Sequence, residues 1–142
     1  MLIGVDGNEA NIKNRVGSNQ YAFELLQALW KLDKKHHWLI YLRKKPRVDM
    51  PREREGWHYR VFGPSRFWTQ WRLPLDLYLH QPRPDVFFTP GHYSPRWCPV
   101  PLVIAIMDLG YLHFPEQFTK PIYYQLKKWT ERSIKKANHL TP

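Results

Sequence analysis

Apolar residues recur in two rhythms along this chain. Short unbroken or alternating runs occur at residues 2–6, 38–42, 59–62, 85–88 and 102–107. Runs of this length, bounded by polar or turn-forming residues, predict β-strands buried in a sheet. Three longer stretches instead repeat apolar residues every three or four positions. The first opens at Ser18, a suitable N-cap, and carries Ala22, Leu25, Leu26, Leu29 and Leu32 on one face. The second, 67–80, contains Pro74, which predicts a kink or a fresh helical start. The third begins at Thr119-Lys120-Pro121 and aligns Ile122, Leu126, Trp129, Ser133 and Ala137. His139-Leu140-Thr141 predicts the start of a sixth strand.

The resulting order, β-α-β-β-α-β-β-α-β, predicts an α/β layer structure with a mostly parallel sheet, one domain over 1–142. Right-handed crossovers place helices on both faces. Such sheets bind ligands outside the carboxyl ends of their strands. Three of those ends carry polar or glycine-rich loops. The first strand delivers Asp6-Gly7-Asn8 and a loop closing at Val16-Gly17-Ser18. The fourth delivers Thr89-Pro90-Gly91-His92-Tyr93, and the fifth Asp108-Leu109-Gly110. The three loops are expected to share a rim.

Each candidate has a functional and a structural reading. Gly17-Ser18 can present amides and the positive helix end to an anion, or simply cap the helix. His92 can act as a base or donate a hydrogen bond to a hydroxyl, or be a solvated or structural loop residue. Asp108 can hold a sugar hydroxyl and orient a substrate, or bond to the amides that follow it. His36-His37 has no third ligand nearby, so no metal site is expected. Trp68 and Trp71 are assigned to the core rather than to base stacking.

Composition narrows the class. The chain has 142 residues, 43% of them hydrophobic, with seven Trp, eight Tyr and seven Phe, which is a globular balance. No apolar run approaches the roughly 20 residues of a membrane span, and the opening residues lack a signal-type pattern, so a cytoplasmic protein is expected. The single cysteine, Cys98, excludes an intrachain disulfide. A formal charge of +10 points to an anionic partner: a nucleotide, an acidic lipid surface or a nucleic acid. Nucleic-acid binding rests on charge alone and is not expected. Lys128, Arg132, Lys135 and Lys136 share a face of the last helix, which suits docking at the inner face of the membrane or plain solvation. Neither GxGxxG nor GxxxxGK[ST] occurs.

Taken together, the motifs resemble a known family. The opening strand with Val16-Gly17-Ser18 and its helix, Trp71-Arg72-Leu73-Pro74, and Arg83-Pro84-Asp85-Val86-Phe87 carry the resemblance. So do the apolar run before Asp108-Leu109, His113-Phe114-Pro115-Glu116, and the closing helix. In this order they resemble the N-terminal domain of family 4 glycosyltransferases, retaining enzymes of the GT-B fold. The resemblance implies a Rossmann-like three-layer half that binds the acceptor. A C-terminal half, which holds the nucleotide-sugar, is expected to lie outside this sequence. It implies transfer of a sugar from that donor to a hydroxyl acceptor without metal or other cofactor, and little activity from these residues alone. Asp108 is then the candidate catalytic residue. Asn8, Val16, Gly17, Ser18, His92, Tyr93, Leu109 and Gly110 are the candidate substrate-binding set. One position departs from the family, which often has His immediately before the Asp-Leu pair. Here it is Met107, whose thioether cannot transfer a proton. The rival reading is a self-standing binding or assembly domain that self-associates or pairs with a separate donor-domain protein.

Overall fold

A computed structural model describes residues 1–91, 93–107 and 110–141. The strands are β1 (Leu2–Asp6), β2 (His37–Leu42), β3 (Trp57–Val61), β4 (Val86–Thr89), β5 (Leu102–Ala105) and β6 (His139–Thr141). The helices are α1 (Ser18–Leu32), α2 (Leu73–Leu79), α3 (Gly110–His113) and α4 (Lys120–Lys136). A π-helical turn, Trp68–Arg72, leads into α2, and a 3-10 turn, Pro115–Gln117, precedes α4.

All the strand pairs are parallel, in the order β3-β2-β1-β4-β5-β6. The fold is thus a Rossmann-like α/β sandwich. Strand β2 shows how the layers form. Successive side chains of a strand face opposite sides. Trp38, Ile40 and Leu42 join one core with Val5, Ala22, Leu26 and Trp57, under α1. Tyr41 and the half-buried Leu39 join the other, with Leu73, Leu77, Phe87, Leu102 and Ile104, under α2. The β1–β2 crossover fills the first face and the β3–β4 crossover the second, as right-handed connections require. Two close approaches fix the centre. A Cβ on Gly7 would lie 2.5 Å from Ile40 Cγ2, while the Gly7 amide bonds the Tyr41 carbonyl at 3.0 Å.

The expected elements are all present, a short helix α3 and a 3-10 turn are added between β5 and α4, and details differ as follows. Strand β3 begins two residues early, because Trp57 is fully buried beside Trp38, ring centroids 5.8 Å apart. Strand β5 stops at Ala105, short of Met107. Gly17, not Ser18, is the N-cap of α1: the Tyr21 amide bonds the Gly17 carbonyl at 3.0 Å, and no side chain caps the turn. Leu32 leaves the apolar stripe and is 83% exposed, since the helix ends there. Pro74 does start a second helical segment: it sits in the first turn of α2, where its missing N–H costs nothing. Trp68 is buried as expected, whereas Trp71 is half exposed and meets Trp97 edge-on at 5.1 Å.

Candidate functional site

The strand order reverses direction between β1 and β4, and at such a switch point the two following loops diverge and leave a crevice. Here a cavity of about 340 Å³ opens there. Asp6, Asn8 and Glu9 enter from the end of β1, Arg43 from the end of β2, and Thr89, Gly91 and Tyr93 from β4. Phe67 to Gln70 and Trp129 of α4 close it with aromatic faces and an amide.

Two carboxyl groups face this crevice. Asp6 is 8% exposed, and its Oδ1 accepts from the Asn8 amide at 3.0 Å and from Asn8 Nδ2 at 2.7 Å. Burial pushes the Asp6 carboxyl up to about 6 against the pull of those two bonds; nearby Glu9 adds to the rise and Arg43 opposes it. Burial also raises Glu9, opposed by Arg43 and by the hydrogen bond that Asn19 Nδ2 donates to Glu9 Oε2. A carboxyl raised by burial at a crevice can donate or accept a hydrogen bond, which makes Asp6 a candidate for contact with a ligand.

The walls are fixed by polar ties. Thr89 Oγ1 donates to the Tyr93 carbonyl at 3.0 Å, folding the β4 loop back on itself. The Ser94 amide and hydroxyl reach Ser133 Oγ at 3.1 and 3.0 Å, joining that loop to α4. Tyr93 meets Trp129 edge-on at 5.0 Å. On the other side Arg15 grips Asp49 through both Nη atoms, at 2.7 and 3.1 Å, and donates Nε to the Ala10 carbonyl at 2.7 Å. That brace holds the chain just before Val16-Gly17.

Of the residues singled out from sequence, Asn8 and Tyr93 lie together in the crevice. Val16, Gly17 and Ser18 do not line it. They stand at the head of α1, linked to the crevice through Asn19 and Glu9. Gly17 has φ 53 and ψ −121, a conformation L side chains rarely adopt, and a Cβ there would meet nothing within 4 Å. Glycine is therefore used for its backbone conformation at the start of α1, where the Asn19 and Tyr21 amides bond the Val16 and Gly17 carbonyls. Gly110 opens α3. His92, Asp108 and Leu109 lie outside the described residues. Met107 is half-buried just past β5. Sequence reasoning passed over Glu9, Arg43, Gln70 and Trp129, and treated Asp6 as a strand end only. The signal for Asp6 was present: a carboxylate closing a buried parallel strand.

His36 is occupied structurally, its Nδ1 2.8 Å from Asp33 Oδ2. Burial pushes the Cys98 thiol up, which disfavours the nucleophilic thiolate. Among the described residues no helix is long and apolar enough to cross a membrane. No family model matches the chain, and neither any curated protein nor any solved structure matches it.

Proposed function

We propose that the chain is the acceptor-side domain of a retaining glycosyltransferase, with the crevice at Asp6 receiving a hydroxyl-bearing acceptor. One observation carries this reading: Asp6 and Glu9 stand beside Asn8, Gln70 and the rings of Trp129 and Tyr93 at the switch point of the sheet. Carboxyl and amide groups exchange hydrogen bonds with hydroxyls, while aromatic faces cover the apolar side of a sugar-like ring. The start of α1 after Gly17 is proposed to approach a donor phosphate at the same edge. The expected domain facing this edge has a physical counterpart. Val16 is 75% exposed, Phe67 61% and Phe114 53%, all on segments that follow strand carboxyl ends. The whole enzyme would move a sugar from a nucleotide-sugar to that hydroxyl, and Asp108, one residue past Met107, is proposed to contact the substrate.

The test is to record amide spectra of the isotope-labelled chain while adding a panel of polyols and glycosides. Saturable shifts at Asp6, Asn8 and Glu9 are expected, with no turnover of nucleotide-sugars. Robust transfer by these residues alone, or no polyol effect at the crevice, refutes the proposal. The same exposed residues also suit an assembly domain. Light scattering across concentration separates the two: a monomer that binds polyols supports the transferase half, and an oligomer that does not supports assembly.

A further inference from the structure

Beside the crevice lies a second depression, of about 390 Å³, sharing Asn8, Arg43 and Ser65 with it. Its rim carries five cations, Lys13, Arg43, Lys44, Lys45 and Arg47, and no carboxylate lines it. The segment 43–47 follows β2, and two asparagines tie its backbone down. Asn8 Oδ1 accepts from the Arg43 amide at 2.9 Å. Asn11 Oδ1 accepts from the Arg47 amide at 2.9 Å, and its Nδ2 donates to the Lys44 and Lys45 carbonyls at 3.3 and 3.0 Å. The loop is thus pinned at both ends by side chains of the β1–α1 connection. Asp49 is taken by Arg15 at 2.7 Å and reached by Arg47 only at 3.8 Å, while Asp6 and Glu9 of the adjoining crevice act electrostatically on Arg43 alone of these cations. Among the described residues, Lys13, Arg43, Lys44 and Lys45 make no side-chain hydrogen bond or ion pair. The other basic hollow, around Arg96 and Lys136, differs. There Lys136 Nζ donates to the Arg96 carbonyl, and the Arg96 guanidinium lies 4.9 Å from the rings of both Trp71 and Trp97.

We infer that the depression pinned by Asn8 and Asn11 is a phosphate site, and that the acceptor bound in the adjoining crevice carries a phosphate group. Lys13, Lys44 and Lys45, with no ion pair among the described residues, stand on this tied segment beside Arg43, which also faces Asp6 and Glu9, and such a cluster around a concave surface is preorganised for a multiply charged oxyanion. The volume admits a phosphate with part of what bears it. Shared walls at Asn8 and Arg43 let one molecule place its phosphate here and a hydroxyl at Asp6. That the phosphate belongs to the acceptor rests on the proposed function; the anion site itself does not. Either a soluble sugar or polyol phosphate, or a phospholipid headgroup, has this chemistry.

The experiment titrates the labelled chain with inorganic phosphate and glycerol 3-phosphate at constant ionic strength, with sodium chloride as control. Saturable shifts are expected at Asn8, Asn11 and residues 43–47, absent with chloride. The Lys44→Ala/Lys45→Ala double variant should bind phosphate at least about tenfold more weakly, the loss of roughly two charge-assisted contacts. Lys127→Ala/Lys128→Ala removes the same charge from α4 and should stay within about twofold. Asn11→Ala should weaken binding although it removes no charge. In parallel, the chain is sedimented with vesicles of phosphatidylglycerol or phosphatidylcholine. Pelleting with the former alone, competed by glycerol 3-phosphate and lost in the Lys44/Lys45 variant, identifies a lipid headgroup as the source. Soluble binding without pelleting identifies a free phosphorylated acceptor. No saturable phosphate binding, or equal loss in the α4 control, overturns the site. Polyol shifts at Asp6 are read separately, so failure of the phosphate site leaves the crevice reading standing, and the reverse.

Discussion

Asp6 shows how a single buried group ties stability to the site. Its carboxyl titrates at about 6 when folded, against an ordinary value of 3.8. Below about pH 4 both states are protonated and no penalty exists. As pH rises towards 6 the unfolded chain releases its proton first, so stability falls. Above the folded pKa the loss is complete, about 3 kcal/mol for a shift of this size. Asp6→Asn should therefore be more stable than the parent by up to about 3 kcal/mol near pH 8, with the advantage vanishing towards pH 4. Urea unfolding across that range checks it; an advantage independent of pH would exclude ionisation as the cause. The glycines give a ranking. Gly17→Ala meets open space but a strained φ of 53, a cost of about 1–2 kcal/mol. Gly7→Ala drives a Cβ to 2.5 Å from Ile40 Cγ2 inside the core, and should cost more, about 3 kcal/mol or above. Equal melting temperatures for the two would contradict the packing described. Gly17 was legible in the sequence because a loop glycine before a helical pattern is a local signal. Glu9 and Arg43 were not, because what makes them notable is their mutual approach across 34 residues of chain.

At the scale of elements, period and punctuation located nearly everything. The unbroken apolar run Trp38-Leu39-Ile40-Tyr41-Leu42 in β2 fits a strand feeding two cores. The sequence reading starts β3 at Tyr59, although Trp57-His58 continues the same alternation; pairing of Trp57 with Trp38 extends the strand to Trp57. What holds β3 to α2 was also invisible. Arg60 Nε and Nη2 grip Asp76 at 2.6 and 2.5 Å, a two-pronged pair joining residues 16 apart. The pair is half-buried, with side-chain exposures of 28% and 12%, so solvent screens it only in part. A double-mutant cycle of Arg60→Ala and Asp76→Ala should give a coupling of about 1–2 kcal/mol. A value near zero would mean that the prongs are only a surface contact.

For the whole molecule, sheet position should govern local opening. Strands β1 and β4 have neighbours on both sides, whereas among the described residues β6 pairs with β5 alone, and Leu140 is exposed. Amide exchange should be slowest at Val5, Ile40 and Phe87 and faster by orders of magnitude at His139 and Leu140. Uniform protection would contradict the open edge.

By itself the sequence determined the class of the fold, the order of its strands and its three main helices along the chain, and the edge where loops collect. Those follow from periodicity, caps and chain direction, which are local. The tertiary structure alone decided the strand order, and with it the crevice between β1 and β4. It alone also brought Asp6, Glu9 and Arg43 together, and pinned the basic loop by Asn8 and Asn11. Each of these depends on which distant segments become neighbours. Parallel pairing chooses those neighbours through crossovers, and no stretch of sequence records that choice alone.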